Sequence, residues 1–175
     1  VDCIDGRPFS TAFSHTRFIT PHIAKEKGYE WALFVDCDFL FTKDVAKLFS
    51  LVDDKYSVMC RKFANTLSTN DKMDGMKQTA YEKKLWSSLC LWNTKASFPS
   101  VQQVNSKDGA WLHQFKWLGE DRIGEIPPAW NWVKGDDEVP KAIHFTEGGP
   151  WLPEYARCEY GHLWKSELEH MENSK

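Results

Sequence analysis

Residues Trp31-Ala32-Leu33-Phe34-Val35 form a continuous apolar run that ends directly in Asp36-Cys37-Asp38. A run of that length, with Phe and Val in it, reads as a buried strand of a parallel sheet. Ligands of open α/β sheets bind outside the carboxyl ends of such strands, and Asp36 and Asp38 stand at that end. Two hard oxygen donors there suit Mg²⁺ or Mn²⁺ holding a diphosphate. The same residues also read as a strand that ends in an Asp-rich turn, because Asp favours turns and helix starts.

Alternating patterns surround this strand. Ser10 to Lys27 reads as helix, with Pro21 inside it and Gly28 as its stop. Phe39-Leu40-Phe41 continues briefly extended, and Lys43-Asp44 opens a helix that turns Val45, Leu48 and Phe49 to one face. Tyr56 to Cys60 and Leu85 to Trp92 are further strand candidates. Between them, residues 63–79 carry no period, and loops of that length are often functional lids. Val101 to Trp117 reads as helix in two parts with a break at Ser106 to Gly109. Arg122 to Ile126 and Ala142 to Phe145 are short strands, and 153–172 reads as a closing helix. Strands and helices alternating in this way predict α/β layers.

The chain has 175 residues, which suits one domain over residues 1–175 rather than two. A net charge of −3 disfavours non-specific nucleic-acid binding. No apolar run approaches the ~20 residues that a membrane span needs, and the first residues lack a signal-peptide pattern. The cysteines number five, with no C-x-x-C pair, so neither a disulfide framework nor a structural zinc site is expected. Cys37 and Cys90, inside apolar stretches, are expected to be packed thiols, and a cytoplasmic location fits that usage. Nine Trp and eleven Phe are many for this length and hint weakly at carbohydrate handling, whose sites use aromatic faces. The chain starts with Val and reaches its first apolar strand only near Trp31, so a shortened or very compact version of its fold is expected.

A second segment, His144-Phe145-Thr146-Glu147-Gly148-Gly149-Pro150-Trp151, places a His on or at the end of a strand. It reads either as a core histidine or as a ligand. The two glycines that follow allow backbone N–H groups to approach a phosphate closely, or form a tight turn.

Together these segments resemble the glycogenin-like retaining glycosyltransferases of family 8, which have the GT-A fold. The family carries Asp-x-Asp at a strand end and a His-Phe/Tyr…Lys-Pro-Trp segment near the C-terminus. Ser14-His15-Thr16-Arg17-Phe18 is similar to its Arg-containing helix. Trp86 to Asn93 resembles its Asn-x-Gly-hydrophobic-Asn strand, and Ile126 to Trp132 its Leu-Pro…Asn segment. Small bacterial and phage members share the W-S-S-L, L-H-Q-F, W-N-W and H-[FY]-T-x-G-G-P-W patterns. The resemblance implies a mixed, mostly parallel sheet with flanking helices, and the expected fold lacks the N-terminal nucleotide strand. It implies a metal-dependent, retaining transfer of a sugar from a nucleotide-diphosphate donor, with a UDP-sugar expected, to a carbohydrate or other hydroxyl acceptor.

Carried over by residue, the resemblance makes Asp38 and His144 metal ligands and Asp36 a ligand of metal or ribose. Arg17 would contact the donor, Ser87 and Ser88 would line its sugar, and Gly148, Gly149 and Trp151 would close over its phosphates. Gln114 matches the position beneath the anomeric carbon, but His113 and Phe115 replace the flanking Asp residues. Without a carboxylate there, a same-face displacement is expected rather than a covalent intermediate. The family's Lys before Pro-Trp is Gly149 here, so Lys62, or Lys72 or Lys77 in the long loop, would serve the phosphates. Two rival readings are a catalytically impaired accessory module and a metal-dependent nucleotidyltransferase or phosphoesterase. The last should supply more carboxylates for two metals than one Asp pair and one His.

Overall fold

The first helix stops at Gly28 because the backbone there needs φ +79°, which a residue without Cβ adopts freely. The computed structural model describes residues 14–64 and 83–174. A single 3₁₀ turn, Thr16–Ile19, leads into α1 (Thr20–Glu26), whose Pro21 lies in the first turn where no N–H partner is required. β1 (Trp31–Val35) and β2 (Phe39–Phe41) flank the acid pair. Then follow α2 (Ala46–Phe49), β3 (Val58–Cys60), a 3₁₀ turn Lys84–Ser88 and β4 (Leu89–Asn93). α3 (Val101–Ser106), α4 (Gly109–His113), β5 (Ile123–Glu125), β6 (Ala142–His144) and α5 (Gly161–Asn173) complete the chain. Ser100 caps α3 in a full capping box with Gln103, and Asp108 caps α4 through the Trp111 N–H.

The chain divides into two compact units, one of residues up to 36 with 46–126, the other of 37–45 with 127 onward. The first unit is built on a four-stranded sheet of order β1-β4-β3-β5. β4 runs antiparallel to β1 and β3, whereas β3 and β5 are parallel. Three strands therefore point one way and β4 the other, giving the expected mixed sheet with helices beside it. Its core holds Phe18, Trp92, Leu112 and Phe115. Phe18 sits edge-on to Trp92, Phe115 and Trp117 at ring separations of 6.0, 6.4 and 5.9 Å. Such packing anchors the 16–19 turn, and with it the neighbouring Arg17.

The second unit pairs β2 with β6 antiparallel, Phe39 facing His144. Trp132 bridges to Ile143 on β6's other side. Leu163 and Trp164 of α5 pack against Trp132, Ile143 and Phe145, which supplies the apolar cover that a two-stranded ribbon lacks on its own.

Several expectations change. β1 is half-buried throughout rather than buried, because among the described residues it is an edge strand with one neighbour, antiparallel β4. The strand expected over 85–92 begins only at Leu89, since 84–88 coil into a 3₁₀ turn. The closing helix is broken: a turn at Pro153–Tyr155 precedes α5. Cys37 is exposed, not packed, because it occupies the turn past the end of β1; Cys90 is buried as expected. Trp86, Trp92, Trp130 and Trp132 are buried, so much of the Trp excess is core rather than binding surface. Residues 10–13 of the first helix, and Lys72 and Lys77 with most of the long loop, lie outside the described residues. No helix among the described residues is long and apolar enough to cross a membrane.

Candidate functional site

In the first unit, β1 delivers Asp36, whose N–H donates to the Ser88 carbonyl at 2.8 Å and so extends the pairing with β4. Arg17 grips the Asp36 carboxylate with both forks of its guanidinium. Nη2 lies 2.9 Å from Oδ1 and Nη1 donates to Oδ2 at 3.2 Å. Arg17 is only 7% exposed, and a guanidinium that buried needs such partners. Nη1 also donates to the Ser87 carbonyl at 2.9 Å and reaches Ser87 Oγ at 3.4 Å. The charged plane rests over the Phe34 ring at 5.0 Å.

Behind Arg17, Ser87 Oγ lies 2.6 Å from His113 Nδ1. Both residues are buried. Ser88 Oγ donates to the Leu85 carbonyl at 2.7 Å. The two hydroxyls expected beside a donor sugar are therefore bonded within the protein. Gln114 follows His113 at the C-terminal cap of α4 and is half-buried. The next residue, Phe115, has φ +53°, a left-handed conformation that costs a bulky side chain roughly 1–2 kcal/mol. Its complete burial among aromatic rings holds it there. Lys62 sits half-buried with its ammonium 5.9 Å from the Trp86 ring, which Lys83 also approaches at 4.9 Å.

In the second unit, the Phe145 N–H donates to the Asp38 carbonyl at 3.0 Å, continuing the β2–β6 ladder up to Asp38. His144, 4% exposed, stacks on Phe39 at 4.2 Å. Its Nε2 lies 3.4 Å from Asp38 Oδ1, and its Nδ1 lies 3.0 Å from Asn131 Oδ1. Facing an amide oxygen, Nδ1 donates its proton to Asn131, and this leaves Nε2 as the ring nitrogen turned toward Asp38. Metal-binding histidines are held in this way by a carbonyl or carboxylate on the far nitrogen.

Gly148 and Gly149 have a packing reason. A Cβ on Gly148, at φ +141°, would collide with the Tyr155 ring, and one on Gly149 with the Trp151 ring. Trp151 lies edge-on to Phe145 at 5.7 Å and tilted against Trp164 at 5.5 Å, yet remains 40% exposed. A cleft of about 400 Å³ opens beside this segment, with Trp132 and Tyr155 among its walls and the Lys134–Glu147 ion pair at 2.9 Å.

Three contributing residues escaped the sequence reading. Asn131 and Phe39 orient His144, and His113 supports Ser87. Asn131 could have been found inside the Trp130-Asn131-Trp132 segment, where a polar residue sits between two aromatics. His113 carried no such signal, because its partner is 26 residues away in sequence.

No sequence profile of a known protein family matches the chain. Among solved structures it is similar to an active-site mutant of LgtC (11% identity, TM-score 0.55, 95% of this chain and 71% of that one). It is also similar to the glycosyltransferase GlyE of Streptococcus pneumoniae TIGR4 (13%, TM-score 0.52, 95% and 48%). The apo bifunctional glycosyltransferase WbbM aligns as well (19%, TM-score 0.50, 85% of this chain), and the chain spans about a third of it, 34%. At those identities the likeness shows the fold, which is GT-A-like. Protein CDI of Arabidopsis thaliana is 44% identical over 97% of this chain and 70% of its own length. With a GT-A-like sheet carrying Asp36 and that degree of identity along nearly its whole length, the chain belongs to the family of the plant protein CDI.

Proposed function

We propose that this chain is a family 8-type glycosyltransferase that moves a sugar from a nucleotide-diphosphate donor, a UDP-sugar, to a hydroxyl acceptor. The observation that carries the reading is His144, with Nδ1 turned to Asn131 and Nε2 turned to Asp38. Carboxylate oxygens and one imidazole suit a divalent cation, and the imidazole favours Mn²⁺ over the harder Mg²⁺. Asp38 and His144 would hold it, and the family resemblance adds Asp36 as a ligand of the metal or of the ribose. When bound, the cation supplies Lewis-acid stabilisation of the charge that develops on the leaving diphosphate.

The remaining roles belong to the protein. Arg17 holds the Asp36 carboxylate in one orientation. Lys62 serves the donor phosphates, with Gly148, Gly149 and Trp151 bordering them, and Ser87 and Ser88 shape the wall at the donor sugar. Gln114 lies beneath the anomeric carbon and steadies the developing positive charge. The C1–O bond to the diphosphate breaks as the acceptor oxygen bonds C1 on the same face, and the acceptor's proton passes to the leaving diphosphate oxygen. The configuration is therefore retained. Free thiols at Cys37, Cys60, Cys90 and Cys158 are in keeping with a reducing, cytoplasmic setting.

Incubation with a panel of nucleotide sugars and Mn²⁺, read as free nucleoside diphosphate, tests the reading. Turnover with one donor supports it. No turnover together with no thermal shift for any nucleotide overturns it. The internal bonding of Ser87 and Ser88 favours a second reading, a donor-binding module without transfer. Tight donor binding with no product on any acceptor would select it.

A further inference from the structure

We infer that His113 is a positioning residue that fixes the Asp36 carboxylate through Ser87 and Arg17. The chain of contacts is continuous. His113 Nδ1 lies 2.6 Å from Ser87 Oγ, Ser87 receives Arg17 Nη1 on its carbonyl at 2.9 Å and its Oγ at 3.4 Å, and Arg17 forks onto Asp36 at 2.9 and 3.2 Å. The geometry also sets the direction of the Arg17 bonds. Arg17 can only donate, so Ser87 Oγ accepts from it, and the 2.6 Å contact with His113 Nδ1 fixes where that oxygen lies. Phe18, edge-on to the His113 ring at 5.3 Å, keeps the ring in that orientation.

Arg17 has more freedom than its burial suggests unless something holds Ser87. The Ser87 side chain has three staggered rotamers, and the contact with His113 holds Oγ in the one that reaches Nη1. Removing the ring nitrogen of His113 frees that side chain, loosens one of the guanidinium's three anchors and widens the range of Asp36 orientations. That matters to the proposed metal site, and this part of the inference rests on the reading of Asp36 as a ligand.

Two variants separate positioning from packing. His113→Asn keeps a hydrogen-bonding amide near the place of Nδ1, whereas His113→Leu keeps volume and removes the polar partner. Ser87→Ala cuts the same link with little change in volume, should His113→Leu fail to fold. The first readout is the ¹⁵N–¹H spectrum of the Arg17 guanidinium, whose η protons are resolved only when rotation is restricted. The second is the Kd for Mn²⁺ alone. We expect wild type and His113→Asn to share resolved η signals, and His113→Leu and Ser87→Ala to lose them. Mn²⁺ binding should weaken about tenfold in the latter two and about twofold or less in His113→Asn. Unchanged η signals in both His113→Leu and Ser87→Ala overturn the inference, as does equal loss in His113→Asn and His113→Leu. Resolved signals that respond as expected, in a protein that binds no Mn²⁺ even as wild type, leave the positioning role standing and overturn the metal reading instead.

Discussion

Asn131 Oδ1 lies 3.0 Å from His144 Nδ1, and this contact decides which ring nitrogen faces Asp38. It makes a buried asparagine part of the candidate metal chemistry. Asn131→Ala should therefore weaken Mn²⁺ binding by about 10- to 100-fold, the usual cost of losing the partner behind a ligating histidine. His144→Ala and Asp38→Ala should abolish it at millimolar Mn²⁺. Lys47→Ala, on the exposed face of α2, should change nothing. Calorimetric titration with MnCl₂ checks all four, and equal affinity in Asp38→Ala and Lys47→Ala would refute the metal assignment.

The Arg17–Asp36 fork is partly buried, so each partner depends on the other. Arg17→Ala leaves the Asp36 carboxylate without its guanidinium and is expected to cost about 2–3 kcal/mol, toward the lower end for a broken buried pair because Asp36 keeps some solvent contact. Arg17→Lys restores charge but not the fork, and should recover less than half of that loss. Urea unfolding of the three proteins measures both steps. A Lys variant as stable as wild type would show that the charge alone suffices.

Gly148 combines φ +141° with a Tyr155 ring where a Cβ would sit. Gly148→Ala is expected to destabilise the protein by about 2 kcal/mol or more, from backbone strain and displaced ring together. The double variant with Tyr155→Ala should recover part of the loss by clearing the space. Additive losses in denaturant unfolding would mean that the ring is not what excludes the methyl group.

Burial pushes the Cys60 thiol up from an ordinary value near 9 to about 12, and Cys90 is likewise raised well above 9 by burial. Above pH 9 the unfolded chain ionises these thiols while the native state does not, so the unfolded state binds fewer protons. The stabilisation is complete below pH 9 and is lost progressively as pH rises toward 12. Thermal midpoints should fall over pH 9–11, and Cys60→Ala should flatten that fall. In the native protein at pH 8, iodoacetamide should label the exposed Cys37 and spare Cys60 and Cys90. Rapid native labelling of either buried thiol, read by peptide mass spectrometry, would contradict this placement.

The bounds of the strand ending in the acid pair were legible, because five apolar residues in a row have few other local solutions, but its half-burial and its antiparallel neighbour were not. The two-part helix was legible in its starts, since Ser100 and Asp108 are caps, but its second part ends at His113 and not at Trp117. The burial of Ser87 and Ser88 was not. A hydroxyl reads the same in sequence whether it faces a ligand or a histidine 26 residues away. The glycines of the 148–149 pair show the same limit from the other side. Their need for space was visible, but the occupants of that space, Tyr155 and Trp151, come from side chains whose direction no local pattern specifies.

Apart from the family resemblance, which implied the role of His144, the sequence by itself determined the alternation of strands and helices and the position of the acid pair. These follow from hydrophobic period, caps and turn chemistry, which act over a few residues. Only the tertiary structure decided the strand order, the exposure of Cys37, the pairing of Asn131 with His144 and the line from His113 to Asp36. Those depend on which distant side chains share one buried volume, and that choice is made by packing, where every polar group taken from water must find its partner.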